Sequence, residues 1–326
     1  MRWGILGAAK FARQHMGRAI HAAEGAELVG LATSDPAKAA PFEAFAPGLT
    51  VFDSYDALLN DEAIDAVYIP LPNHLHVEWT IRALEAGKHV LCEKPLALSA
   101  DDFDPVITAA TASGKLAAEA FMIVHHPQFQ RARALLSDGA IGRLRHVDAT
   151  FSFNNKQDTT NIRRDPAKGG GALRDIGVYI FGAARFVTGE EPRAIRSARI
   201  DTRDGVDDFV QVAADFPDFS YSGMVGMSLF PRQEVVFHGE DGVIRLTCPF
   251  NANVFDVASL TLENNGLNRT TERWPAVNHY VLQVEAFERA AAGQEDYPVS
   301  LEFSKGTQEM MDKVYAAGGF NPGGGE

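Results

Sequence analysis

Trp3-Gly4-Ile5-Leu6-Gly7 is a short apolar run that stops on glycine and leads directly into a helical pattern, Phe11, Ala12, Met16, Ala19, Ile20 and Ala23. A chain that starts strand–glycine–helix is close to committed to a parallel sheet, because the helix serves as the crossover that returns the chain to a neighbouring strand. The pattern recurs. Leu28–Thr33, Ala66–Ile69 and His89–Cys92 are further apolar runs bounded by Gly, Pro or polar turns. Val77, Ile81, Leu84 and Glu85 follow helical spacing up to the stop at Gly87-Lys88, and Ser99 is placed to cap a helix running to about Ser113. The expected fold is α/β, with an N-terminal doubly wound parallel sheet of Rossmann type over residues 1–120.

From about residue 140 the texture changes. Runs at Arg143–Phe153, Arg193–Asp201, Asp207–Phe216, Phe219–Phe230, Val235–His238, Val243–Thr247 and Val257–Leu262 follow one another, with turns at Asp218, Gly239-Glu240-Asp241-Gly242 and Asn264-Asn265-Gly266. This predicts a C-terminal α+β domain, residues 121–326, with a large, open, mainly antiparallel sheet of about six strands. Helices are expected near Ile176–Phe186, Tyr280–Ala292 and Ser304–Ala317. The face made by Val281, Val284, Phe287 and Glu288 looks like core. The glycine-rich tail Gly318–Glu326 is expected to be mobile.

Thirty Lys and Arg against 43 Asp and Glu leave a formal charge of −13. That balance argues against nucleic acid as a partner, while a ring of backbone N–H groups can still bind an anionic cofactor. No apolar run is long enough for a membrane helix, and the N-terminus has no signal-peptide pattern. Cys92 and Cys248 look like reduced core residues, so a cytoplasmic protein is expected.

Three stretches carry chemistry. The first, Gly7-Ala8-Ala9-Lys10-Phe11-Ala12, approximates the dinucleotide fingerprint G-x-G-x-x-G/A, with alanine in the second glycine's place. An ordinary βα turn has the same outline. Its position in the first βα unit favours a dinucleotide. The second strand then ends at Thr33-Ser34-Asp35-Pro36-Ala37-Lys38, where NAD binding asks for an acid on the ribose hydroxyls. Thr33 and Ser34 are neutral donors there, and Lys38 can meet a 2′-phosphate. NADP is therefore expected, with NAD left open by Asp35. In the second stretch, Glu93-Lys94-Pro95 closes a buried strand, the place where open α/β sheets bind ligands, although a surface lysine before a turn is the plainer alternative. In the third, Gly169-Gly170-Gly171 precedes a helix on which Asp175 and Tyr179, four residues apart, share a face. The glycines are expected to give a backbone surface that a ligand can approach closely. The acid and the phenol are either a reacting pair or a buried hydrogen-bonded pair without chemistry.

Taken together with Ala66-Val67-Tyr68-Ile69-Pro70-Leu71-Pro72-Asn73-His74-Leu75-His76, these motifs resemble the glucose–fructose oxidoreductase/inositol dehydrogenase (Gfo/Idh/MocA) family over nearly the whole chain. Tyr179 stands where most of that family has histidine. With Asn161-Ile162-Arg163 and Thr188-Gly189-Glu190-Glu191-Pro192, it makes the chain most similar to the NADP-dependent aldose 1-dehydrogenase, glucose–fructose oxidoreductase and dimeric dihydrodiol dehydrogenase branches. The resemblance implies hydride transfer between a nicotinamide and a sugar or polyol, foremost at C1 of an aldopyranose to give a lactone. A trans-dihydrodiol or inositol-type dehydrogenase is the alternative, and a nucleotide-sensing regulator is the alternative outside catalysis.

The resemblance also implies roles. Tyr179 transfers the proton. Lys94 is its electrostatic partner and substrate clamp, since a nearby ammonium favours a phenolate. Asp175 accepts from a substrate hydroxyl, and Arg163 belongs to the substrate rim. Leu71, Pro72, Asn73 and His76 line the cofactor's nicotinamide–ribose and pyrophosphate side, with Glu93 nearby. A homodimer or homotetramer through the C-terminal sheet is implied. No metal is expected: His74-x-His76 and His125-His126 lack further ligands at a recognisable spacing.

Overall fold

The first sheet has six strands, all parallel, in the order β3-β2-β1-β4-β5-β6. These are β1 (Arg2–Leu6), β2 (Glu27–Ala32), β3 (Thr50–Phe52), β4 (Ala66–Ile69), β5 (His89–Cys92) and β6 (Ala117–Glu119). The helices between them are α1 (Gly17–Ala22), α2 (Ala40–Glu43), α3 (Tyr55–Leu59), α4 (His76–Glu85) and α5 (Phe103–Ser113). The strand order reverses between β1 and β4. That reversal opens a crevice at their carboxyl ends, and it is where a doubly wound sheet receives a ligand. The computed structural model describes residues 1–266 and 268–323.

After α6 (Pro127–Ser137) comes the second sheet, built with α7 (Val178–Thr188). Its strands are β7 (Leu144–Asn154), β8 (Ala194–Arg203), β9 (Val206–Asp215), β10 (Ser220–Gly226), β11 (Ser228–Gly239), β12 (Gly242–Thr247), β13 (Ala258–Asn264) and β14 (Asn268–Trp274). Their order is β14-β13-β12-β11-β7-β10-β9-β8, and β7 and β10 form its one parallel pair among the described residues. Eight strands replace the expected six. β14, Asn-Arg-Thr-Thr-Glu-Arg-Trp, is an edge strand whose first four residues are exposed, so it carries no apolar alternation to give it away.

The chain divides into two compact units, residues 1–122 with 278–305, and residues 123–277 with those from 306 onward. The expectation of an unbroken C-terminal domain is corrected here: α8 (His279–Ala291) belongs with the first sheet. The cause is a dense set of contacts to β1. The Phe287 ring lies 5.2 Å from that of Trp3, and both side chains are fully buried. The Trp3 indole N–H donates to Glu288 Oε1 at 2.8 Å, and the terminal amine of Met1 lies 3.4 Å from Glu288 Oε2. The face made by Val284 and Phe287 is core, as expected. The last helix, α9 (Leu301–Ala317), gives its opening turn to the first unit and the remainder to the second.

Two smaller expectations change. The cap residue of α5 is Asp102, and the Ser99 hydroxyl donates to the Asp102 carboxylate at 2.7 Å instead of capping the helix. The start of the tail is tied down: the Phe320 N–H donates to the Tyr315 carbonyl at 3.1 Å, and Arg174 donates to the Pro322 carbonyl at 3.4 Å. Gly324, Gly325 and Glu326, which belong to the same expectation, lie outside the described residues. Among those residues no helix is long and apolar enough to cross a membrane. Cys92 and Cys248 are buried, unbridged thiols.

Truncating Phe287 to alanine removes a ring from a fully packed site and is expected to destabilise the first unit by about 3–5 kcal/mol. Urea unfolding followed by tryptophan fluorescence, with Trp274 replaced by phenylalanine so that only Trp3 and Trp79 of the first unit report, reads the change. A loss below about 1 kcal/mol would show that α8 is not integral to that unit.

Candidate active site

In the first unit the carboxyl edge of the sheet gathers the loops that the sequence singled out. β1 ends on Gly7, whose φ of +103° is open to glycine and strained for other residues. A Cβ there would lie 3.0 Å from Leu71 Cδ2, so the loop after β4 presses directly on the turn after β1. The Gly7 N–H donates to Ala32 O, and the Ala9 N–H donates to Gly7 O, both at 2.9 Å. The chain then enters its helix through a wide π turn, Ala12–Met16, with Ala12 fully buried. A tight positive-φ turn feeding a helix start leaves N–H groups and the positive dipole end at one place, which fits a pyrophosphate. At the end of β2, Thr33 is buried and its hydroxyl is spent on the turn, donating to Asp35 O at 3.3 Å and accepting from Asp35 N–H at 3.2 Å. That corrects its expected part in holding the cofactor. Ser34 and Lys38 are exposed, and the Lys38 amine lies 4.0 Å from the Asp35 carboxylate, which also caps the Ala37 N–H at 3.1 Å.

His76 is the clearest correction. It is fully buried, with Nδ1 2.8 Å from Pro95 O and Nε2 2.7 Å from Leu71 O. Both ring nitrogens are occupied by the protein, so His76 is neither a cofactor contact nor a metal ligand. It straps the loop after β4 to the turn after β5. Burial pulls its pKa down to about 4, against the two carbonyls, which favour the doubly protonated ring. Glu93 is also turned to internal work. Its Oε1 accepts from Tyr68 OH at 2.5 Å, its Oε2 accepts from the Lys94 N–H at 3.3 Å, and burial raises its pKa. The Leu96 N–H donates to Glu119 Oε1 at 2.8 Å, so the Glu-Lys-Pro turn is held from both sides. Pro72, Asn73 and Lys94 remain partly exposed on this edge.

In the second unit the glycines have a different purpose from the one expected. The Gly171 N–H donates to Arg163 O at 2.9 Å, and a Cβ on Gly170 would lie 2.5 Å from that same oxygen. A Cβ on Gly171, at φ +125°, would lie 2.1 Å from Asp207 Oδ1. Gly170 and Gly171 therefore admit protein atoms, not a ligand. After them Leu173–Gly177 forms a second π turn that runs into α7. Such a turn closes from residue i to i+5, so residues four and five apart share its face. It carries Asp175, whose carboxylate accepts from Arg163 Nε at 2.6 Å in a partly buried ion pair, the arginine being the more exposed partner. Tyr179 follows with its ring 5.7 Å from both Phe151 and Phe250, which stack on each other at 4.9 Å. A phenol thus follows, four residues on, an acid whose charge is balanced by an arginine. Among the described residues no three His, Cys, Asp or Glu side chains gather as a metal-ligand set.

Comparison with known proteins agrees with this geometry. The family described as "Oxidoreductase family, NAD-binding Rossmann fold" (GFO_IDH_MocA) matches residues 1–121, and the GFO/IDH/MocA C-terminal domain matches residues 129–245. The chain belongs to the Gfo/Idh/MocA family. It is similar to an uncharacterised oxidoreductase, ORF334, of Rhizobium meliloti, 37% identical over 96% of each chain. It is also similar to D-xylose 1-dehydrogenase (NADP(+)) 2 of Haloferax volcanii, 35% identical over 97% of this chain and 96% of the relative. Among solved structures, KijD10, a 3-ketoreductase from Actinomadura kijaniata in complex with NADP and TDP-benzene, has a TM-score of 0.90, 29% identity and 97% coverage of both chains.

Two residues of this family member escaped the sequence reading. Arg164 is buried, donates to Asn155 Oδ1 at 2.8 Å and to the Ser228 hydroxyl at 3.2 Å, and pairs with Asp208 at 3.5 Å. It anchors the segment that presents Arg163. Asp207 touches the start of the helix that carries Asp175 and Tyr179 from a strand far along the chain. The one available signal was the Asp207-Asp208 pair heading an otherwise apolar strand.

Replacing His76 with alanine removes the one N–H that the neutral ring donates and leaves a buried carbonyl, of Pro95 or Leu71, without its donor, a loss of about 1–3 kcal/mol. We expect the dissociation constant for NADPH, read by fluorescence titration, to rise roughly tenfold in a protein that stays folded. An unchanged constant would mean that the two loops keep their shape without the strap.

Proposed function

We propose that this oxidoreductase is an NADP-dependent dehydrogenase that oxidises an aldopyranose at C1 to the lactone. The observation that carries the reading is the Arg163–Asp175 ion pair on the same helix face as Tyr179, inside an aromatic setting. A full-length relative with a xylose 1-dehydrogenase activity supports the choice of carbon.

Tyr179 takes the proton of the reacting hydroxyl, as general base in oxidation and general acid in reduction. Asp175, held by Arg163, accepts from a neighbouring sugar hydroxyl and so sets which hydroxyl reacts. Lys94 carries the positive charge that favours a phenolate and clamps the substrate oxygen. Gly7, Ala8, Ala9, Lys10, Phe11 and Ala12 hold the pyrophosphate, Ser34 and Lys38 the 2′-phosphate, and Leu71, Pro72 and Asn73 the nicotinamide side. The nicotinamide, when bound, supplies the acceptor for the hydride. A second reading is reduction of a ketone at another ring carbon of a hexose, favoured by the likeness to a 3-ketoreductase. The same residues serve it with the proton moving the other way.

A panel of aldoses, cyclic polyols and a dihydrodiol, followed at 340 nm, separates these readings. Against the best substrate, Tyr179→Phe is expected to lower turnover by roughly 10²-fold or more while NADP binding is kept. Near wild-type turnover would remove Tyr179 from proton transfer. Binding of NADP(H) with no turnover anywhere in the panel would favour a nucleotide sensor.

Lys38→Ala tests the cofactor choice separately. Losing a charge-assisted contact to the 2′-phosphate should weaken NADP binding about tenfold or more and leave NAD binding nearly unchanged. Equal losses for both nucleotides would place the 2′-phosphate elsewhere.

A further inference from the structure

The helix that begins at Leu173 has no cap of its own. Ala172 occupies the cap position, and no side chain caps the helix from there. Its cap comes from Asp207, the second residue of β9 and 34 residues away in sequence. Asp207 Oδ2 accepts from the Leu173 N–H at 2.6 Å, and Oδ1 accepts from Tyr315 OH on α9 at 3.1 Å. The side chain has no exposure to solvent, and it lies so close to Gly171 that a Cβ there would collide with it. Asp175 and Tyr179 follow on the turns that this contact starts.

Burial pushes the Asp207 carboxyl up to about 6, against the hydrogen bonds from Leu173 and Tyr315 and the charge of Arg174. The charged or titratable groups around it are Arg174 on the same π turn and Tyr315 on α9, with Asp312 behind the tyrosine. A carboxyl whose folded pKa is raised binds its proton more tightly when folded. Its contribution to stability therefore falls as pH rises through the window from about 4 to about 6. At neutral pH the ionised group is a cost to stability that a neutral amide of the same shape would avoid. What the charge supplies is a short charge-assisted bond to a helix N-terminus, whose dipole favours an anion.

We propose that Asp207 is a positioning residue for hydride transfer: its ionised carboxylate caps the catalytic helix at Leu173 and fixes where Asp175 and Tyr179 lie. The proposal rests on the reading of Tyr179 as the proton-transfer group. It separates from a purely structural role because a structural carboxylate and a positioning carboxylate respond differently to removal of the charge.

The test is Asp207→Asn in the full-length protein, with three readouts. With D-xylose and NADP, kcat should fall at least tenfold with KM changed less than threefold. The thermal midpoint at pH 7.5 should be unchanged or higher. Hydrogen exchange of the peptide spanning residues 171–179, corrected for intrinsic rates, should be faster in the variant at pH 7.5. It should differ between pH 5 and pH 7.5 in the wild type only. A kcat and a thermal midpoint that fall together would overturn the proposal, as would unchanged exchange in this segment. If Asp207→Asn does not fold, Tyr315→Phe removes one of the two hydrogen bonds. It should loosen the same peptide by a smaller factor, and an unchanged peptide would again overturn the idea. The exchange readout does not depend on chemistry. Loosened exchange with full activity in Tyr179→Phe would sink the assignment of Tyr179 while leaving the anchor in place.

Discussion

The second unit depends on a main chain stripped of side chains at the point where three elements meet. Gly170 and Gly171 let the Arg163 carbonyl and the Asp207 carboxylate come nearer to the backbone than any Cβ would allow. From that close approach the rest follows. The Gly171 N–H is satisfied by Arg163, the Leu173 N–H is satisfied by Asp207, and the helix can start at full depth in the unit with these N-terminal donors accounted for. Arg163, held by its own carbonyl, then has its guanidinium beside Asp175. The charge pair and the helix start are one construction.

The first unit solves the same problem with a side chain. There the loops after β4 and β5 are separate pieces of backbone with carbonyls facing inward, and a single imidazole joins them. Both units also lead into a helix through a π turn, at Ala12–Met16 before α1 and at Leu173–Gly177 before α7. A π turn displaces the residues after it relative to an unbroken α-helix, and such turns concentrate where a helix must present groups rather than only pack.

Much of this was legible in the sequence, because the readable part is local. The alternation of apolar runs and helical spacing gave the parallel sheet, and Gly7, Lys94, Asp175 and Tyr179 each stood at a strand end or helix start that the pattern marks. What was hidden depends on direction or distance. The residue type at His76 says nothing about which way the ring faces, and it faces inward. Three consecutive glycines announce a close approach but not what approaches. β14 has the composition of a loop because both of its faces are polar. The cap at Leu173 comes from a residue 34 positions further along the chain, beyond the reach of any periodic signal.

The return of α8 to β1 has a consequence for how the chain is made. Trp3 and Glu288, which helps to enclose it, are 285 residues apart in the chain. Domains of nascent chains ordinarily fold in the order in which they emerge. Here the first sheet is made before the second, yet its β1 side stays uncovered until α8 has been synthesised. The second unit has nearly all of its residues available before then. Contacts of such long sequence separation also slow folding. The unit that is begun first therefore cannot be completed until residues 123–277, the main body of the second unit, have been made.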